Sequence, residues 1–121
     1  MDNLIIVDSS DEVTVVRDAS LLNNVNYNPS GHLLGAGDEE LNVETAGTLC
    51  MKFGKKTIRV KVLASKDATC NLISLYTLEK AGLIIDLKNR TILNKKETEI
   101  GKLINYGKYI CLSLNLITHR V

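Results

Sequence analysis

Apolar and polar positions alternate along most of the chain in short runs rich in Ile, Val and Thr. A period of two marks strands with one buried face, and it predicts strands at residues 4–7, 13–16, 41–43, 48–53, 57–63, 83–87, 91–93, 99–104 and 109–114. The run Thr57-Ile58-Arg59-Val60-Lys61-Val62 alternates most cleanly, leaving Arg59 and Lys61 on a face turned to water. Before it, Gly54-Lys55-Lys56 predicts a hairpin connection. The pattern changes once, at Ser74-Leu75-Tyr76-Thr77-Leu78-Glu79-Lys80-Ala81-Gly82. An N-cap serine, apolar Leu75 and Leu78, and a glycine just past the end predict one short helix. The Asn-rich stretch 23–31, with the single proline Pro29, predicts a surface loop, and residues 35–40 predict a hairpin tip. The sum is a small, mostly antiparallel all-β domain with one short helix late in the chain.

Composition narrows this picture. A chain of 121 residues holds one core and is too short for two, so residues 1–121 are expected to form a single domain. Fifteen basic and fourteen acidic side chains leave a net charge of +1, so no nucleic-acid partner is expected of this domain alone. Aliphatic content without Trp suits an interior of branched side chains on pleated surfaces better than an aromatic-lined pocket. The segment MDNLIIVDSS places an acid before its apolar run and does not read as a signal peptide. No run approaches the roughly 18 apolar residues of a membrane helix, and the expectation is a soluble protein with no membrane partner. Cys50, Cys70 and Cys111 are odd in number, far apart and outside any CxxC spacing, which predicts buried, reduced thiols and a cytoplasmic or nuclear location. His32 and His119 have no i, i+4 partner, so no metal and no cofactor are expected. Asn89-Arg90-Thr91 matches a glycosylation sequon, read as a chance match.

The most informative residues are Ile5-Ile6-Val7-Asp8-Ser9-Ser10, an apolar strand that delivers a carboxylate and then two hydroxyls. Aspartate is depleted in strands, so its place there needs a reason. Taken alone, the pair reads either as the start of a turn, with Asp8 and Ser9 bonding local amides, or as a catalytic carboxylate held by neighbouring donors.

The order of features around it resembles the protease segment of Ty1/copia-type retrotransposon polyproteins. After Asp8-Ser9 come Val15-Val16-Arg17, a loop, Leu33-Leu34-Gly35-Ala36-Gly37 and Leu41 to Thr48. Cys70-Asn71-Leu72-Ile73-Ser74-Leu75 looks like the Asn-Leu-Leu-Ser element of that family, and Asn105 to Ile110 resembles its closing strand pair. The likeness covers residues 4–114. It implies a retropepsin-like fold, a small closed β barrel with a flap hairpin, in which two identical chains each give one Asp-Thr/Ser-Gly loop to a shared site. Asp8 would be the catalytic aspartate, Ser9 the hydroxyl bracing the two loops, and Gly35, Ala36, Gly37 and Asp38 part of a flap over a peptide or protein ligand. Two carboxylates about 3 Å apart share a proton in this chemistry, so a single copy is half a site and a homodimer is required. Terminal strands pair across the axis of such dimers, which points to residues 1–5 and 109–117, with Leu4, Ile5, Tyr109 and Cys111, as the interface.

The motif departs from the family at two positions. Ser10 stands where the family has glycine, and Asp11 where it has a small residue against the substrate pocket. A side chain at the glycine position threatens the loop conformation and the substrate contact together. A further carboxylate about 5 Å from the dyad costs about 3 kcal/mol for the doubly charged state at an effective dielectric of about 20, or around 2 pK units. Asp38, Glu39 and Glu40 add acid to the flap. Two functions are therefore compatible with the sequence. One is a degenerate, retroelement-derived protease-like domain that acts in homodimerisation or protein interaction. The other is an active homodimeric aspartic endopeptidase that processes a Gag-Pol polyprotein.

Overall fold

The computed structural model describes residues 3–9, 14–26, 32–34, 40–42 and 45–118, with 32–34 and 40–42 described by backbone alone. In chain order the elements are β1 (Leu4–Asp8), β2 (Val15–Val16), a 3-10 turn (Ala19–Leu21), β3 (Asn23–Asn26), β4 (His32–Leu34) and β5 (Glu40–Asn42). They continue with β6 (Thr45–Phe53), β7 (Lys56–Ala64), β8 (Leu72–Ser74), α1 (Leu75–Lys80), β9 (Ile84–Asp86), β10 (Thr91–Leu93), β11 (Glu99–Lys102), β12 (Ile104–Tyr106), β13 (Tyr109–Ser113) and a second 3-10 turn (Leu114–Leu116). The described residues are mostly β with one short helix, as the alternation predicts.

Eight strands form one sheet in the order β12-β13-β1-β8-β2-β7-β6-β3; β11-β10-β9 form a second and β4-β5 a hairpin. Pairing is antiparallel except for β1 with β8 and β2 with β7. The long β6–β7 hairpin shows how the sequence dictates the layers. Leu49, Met51, Phe53, Ile58, Val60 and Val62 lie on one face and are buried, while Lys52, Arg59 and Lys61 lie on the other and are exposed. Its turn and that of β12–β13 are two-residue loops opened by Gly54 (φ 60°) and Gly107 (φ 59°), closed by the pairs Phe53–Lys56 and Tyr106–Tyr109. Only the first loop residue has positive φ, the II′ arrangement whose twist matches the strands and which favours glycine there. Helix α1 begins as expected: Ser74 Oγ accepts the Thr77 N–H at 3.4 Å, and Gly82 follows the C-cap at φ 96°.

Several expectations need correction. The eight-stranded sheet ends at β12 on one side and β3 on the other, and no pairing among the described strands joins those ends, so no closed barrel is found. Residues 23–26 of the expected loop are strand β3, paired with β6 through a register break at which Asn24 adopts φ 52°. Asparagine tolerates that left-handed conformation, and so an Asn-rich segment can carry an edge strand with a bulge. The expected strand 99–104 is two strands in different sheets. Leu103 turns into the core and donates its N–H to Arg90 O at 2.8 Å, ending β11 and starting β12. Strand β8 has no counterpart in the sequence-based expectation, and it positions the site.

Candidate functional site

Asp8 is the last residue of β1 and is half-buried; Ser9 follows it and is exposed. Ser10, Asp11 and Glu12, and the flap residues Gly35, Ala36, Gly37 and Asp38, lie outside the described residues. What is described is the frame that presents Asp8. Strand β8 is seated between β1 and β2, parallel to the first and antiparallel to the second. Its register sets Ile6 against Leu72, Val7 against Ile73 and Asp8 against Ser74. β1 therefore ends, and β2 begins, beside the end of β8, where α1 begins.

Two buried polar side chains lock this crossing of β1, β8 and β2. Asn71 accepts the Arg17 N–H on Oδ1 at 2.8 Å, donates from Nδ2 to Leu4 O at 3.2 Å, and accepts the Ile6 N–H on its own carbonyl at 2.9 Å. One residue thus ties the start of β1 to the end of β2. Thr14 Oγ1 accepts the Ser74 N–H at 3.1 Å and donates to Thr77 Oγ1 at 3.5 Å, and the Thr14 carbonyl accepts the Leu63 N–H at 3.2 Å. Ser74 has no exposed surface and Thr14 only 7%. Satisfied polar groups of this kind fix one register, because any slip would leave buried donors and acceptors unpaired. The loop that starts at Asp8 is anchored at both ends, by the Asp8–Ser74 pair and by Thr14. Asn71 and Ser74 belong to a segment the sequence singles out. Thr14 does not, and its only signal is a hydroxyl inside the apolar run 13–16.

The four residues expected at a dimer interface separate. Ile5 and Cys111 have no exposed surface and Leu4 has 8%, all used in this chain's own core, whereas Tyr109 is 41% exposed. Strand β1 has neighbours on both sides, β13 and β8, so its backbone offers no edge. The end strand on that side is β12, where Arg90 Nε donates to the Asn105 side-chain Oδ1 at 3.0 Å.

The three cysteines are free thiols, Cys50 and Cys111 buried and Cys70 half-buried. Burial pushes the Cys111 thiol up, with Cys70 nearby adding to the shift. Among the described residues no group of three His, Cys, Asp or Glu side chains is arranged to hold a metal, and no helix is long and apolar enough to cross a membrane. Two clefts formed by described residues lie away from Asp8. One, of about 210 Å³, is bordered by Arg17, Asp18, Ser65 and Lys66; the other, of about 570 Å³, opens between Asn24, Asn26, Thr48 and Lys61. No protein-family model matches the chain, and no curated protein matches it either.

Proposed function

We propose that the chain is a retropepsin-like domain of the Ty1/copia retrotransposon type, one half of a two-fold aspartic-protease fold, with a degenerate motif and a role in homodimerisation or protein interaction inside the cell. The observation that carries the reading is the pairing of Asp8 with Ser74. The resemblance picks out the Asp-Ser loop and the Asn-Leu-Ile-Ser segment separately, and they lie side by side on β1 and β8. Asp8 at the mouth of that crossing is where a two-fold partner would have to bring its own aspartate. Loss of catalysis is argued from Ser10 in place of glycine and Asp11 in place of a small residue. The first crowds the loop, and the second raises the free energy of an ionised dyad by about 3 kcal/mol at an effective dielectric of about 20.

The retained Asp8-Ser9 pair favours a second reading, an active homodimeric endopeptidase working in acid. One experiment separates the two. The protein and an Asp8→Asn variant are incubated with a denatured protein and with a polyprotein-junction peptide from about pH 4 to about pH 7, the range in which such dyads titrate. The degenerate module gives no cleavage at any pH while sedimenting as a dimer at micromolar concentration. Cleavage abolished by Asp8→Asn replaces it with the peptidase, and a strict monomer removes both.

A further inference from the structure

The net charge of +1 is the sum of two unlike parts. Residues 1–44 hold nine acidic and one basic side chain, and residues 45–121 hold five acidic and fourteen basic. The strongest local excess is on the β6–β7 hairpin, where residues 45–64 contain Lys52, Lys55, Lys56, Arg59 and Lys61 and no acid. The register sets Lys52 against Thr57, Cys50 against Arg59 and Thr48 against Lys61. Residues directly opposite each other share a face, so Lys52, Arg59 and Lys61 stand together on the outer face. Arg59 and Lys61 are about 7 Å apart along β7, and Lys52 is a diagonal neighbour of Arg59 at about 7–8 Å. All three are exposed, as is Lys55 at the turn. Among the described residues none of the four has an ion-pair partner. The outer face ends at the 570 Å³ cleft, where Lys61 and Thr48 face Asn24 and Asn26.

We infer that the outer face of this hairpin binds the phosphate backbone of a nucleic acid, without base preference. A file of cations at this spacing can each meet a phosphate on a strand that carries one charge per about 3.4 Å of rise. The Asn24 amide and the Thr48 hydroxyl at the cleft are neutral donors of the kind such backbones also use. An anionic membrane would ask for apolar side chains to enter the headgroup region beside the cations. An acidic protein would ask for a buried aromatic or aliphatic anchor. Among the described residues the exposed large apolar side chains are Tyr76, Ile84, Leu87, Ile104, Tyr106 and Tyr109, none of them on this hairpin. The inference is independent of whether Asp8 is catalytic.

The test is fluorescence anisotropy with labelled oligothymidine and a labelled random-sequence duplex, each about 20 nucleotides long, against the intact protein. Four exposed cations predict that raising salt from about 50 to about 200 mM weakens binding roughly 50-fold for the single strand and roughly 150-fold for the duplex. The triple variant Lys52→Gln, Arg59→Gln, Lys61→Gln should lose at least about tenfold in affinity and flatten the salt dependence, while Lys88→Gln with Lys108→Gln, equally exposed but elsewhere, should change little. Circular dichroism and thermal melting verify that both variants fold. No binding of either probe at about 100 μM protein and low salt overturns the inference, as does a triple variant that binds like the parent. Sedimentation with phosphatidylserine vesicles that depends on the same three residues, while the oligonucleotides fail to bind, assigns the face to a membrane surface instead.

Discussion

Replacing Asn71 by alanine should cost about 3 kcal/mol, more than any other polar truncation among the described residues. The side chain is 5% exposed and holds two backbone groups, the Arg17 N–H at 2.8 Å and the Leu4 carbonyl at 3.2 Å. The Leu4 carbonyl is buried, and orphaning it costs about 1–3 kcal/mol. The Arg17 N–H belongs to an exposed residue, so water can replace part of that bond, and its loss costs about 0.5–1 kcal/mol. The space left by the amide adds about 1 kcal/mol. Against a total stability of order 5–15 kcal/mol this is a large fraction. In urea denaturation, with a slope near 1.5 kcal/mol per molar, the midpoint should fall by about 2 M.

Two companions make the measurement specific. Asn71→Asp keeps the shape and the acceptor for Arg17 but sets a carboxylate oxygen against the Leu4 carbonyl, so it should be at least as damaging as alanine. Asn89→Ala removes an asparagine whose side chain bonds only the exposed Asp86 carboxylate at 2.8 Å, and should cost under about 0.5 kcal/mol. If Asn71→Ala lay within about 1 kcal/mol of the parent, or no further from it than Asn89→Ala, the claim that Asn71 pins the crossing of β1, β8 and β2 would be wrong.

Thiol chemistry gives a second check. Cys111 on β13 pairs with Ile6, and Cys70 leads into β8 on the other side of β1, so their backbones lie about two strand spacings, near 10 Å, apart, too far for a disulfide. Native protein at about pH 8 should therefore show one reactive thiol, Cys70, and three after denaturation, with no cross-link under mild oxidant; a rapid Cys70–Cys111 disulfide would refute the register. Because the Cys111 thiol sits above its ordinary pKa, its neutral form is the one the fold favours; stability from this group is full below the ordinary thiol pKa of 9.0 and falls as pH rises past it. Asp86 shows the opposite case. Its carboxylate accepts from the Asn89 side chain, the Asn89 N–H and the Lys88 N–H, which hold it below 3.8. Its contribution is present above the ordinary carboxylate range and lost as pH falls through the lowered value, and Asn89→Ala should move the Asp86 titration seen by NMR back toward 3.8. Finally, a Cβ on Gly47 would meet Asn23 O at 2.9 Å and Leu22 Cβ at 3.0 Å, so Gly47→Ala should push β3 off β6 and destabilise by about 1–3 kcal/mol. A neutral Gly47→Ala in thermal melts would contradict the close approach of those strands.

What was legible in the sequence follows from how local each feature is. The β6–β7 hairpin could be read because alternation, a central glycine and direct chain connection act on neighbouring residues. The helix could be read because its N-cap and its closing glycine lie within nine residues of each other, Ser74 to Gly82. Strand β8 could not, since it is three residues long and runs straight into a helix. Nothing within Leu72-Ile73-Ser74 distinguishes a strand from a helix start, and its strand character comes from β1 and β2 on either side. The split at Leu103 was hidden for a related reason, because a single buried leucine facing the other layer ends one strand without any turn residue. At the site, the carboxylate at a strand end was visible in Ile6-Val7-Asp8. Its pairing with Ser74 was not, because a parallel pair between distant segments leaves no periodic trace in either.

The uneven charge distribution makes the two proposed surfaces answer to salt with opposite sign. By chain length alone, Asp11 and Glu12 lie within about 11 and 14 Å of Asp8. A two-fold dimer that brings the Asp8 loops together therefore faces three acids with three more. At about 10 Å and the dielectric of water each of the nine cross pairs costs about 0.4 kcal/mol, close to 4 kcal/mol before screening. With a Debye length near 10 Å at about 0.1 M salt, roughly two-thirds of that repulsion disappears, so association through the Asp8 loops must tighten as salt is added. Phosphate binding at Lys52, Arg59 and Lys61 must weaken over the same range. A dimer that instead dissociated with salt would be held by attraction between unlike charges. The unlike charges available are the acidic first third of one chain and the basic hairpin of another. That contact is head-to-tail, could not place two Asp8 carboxylates within reach of one proton, and would compete with nucleic acid for the same face.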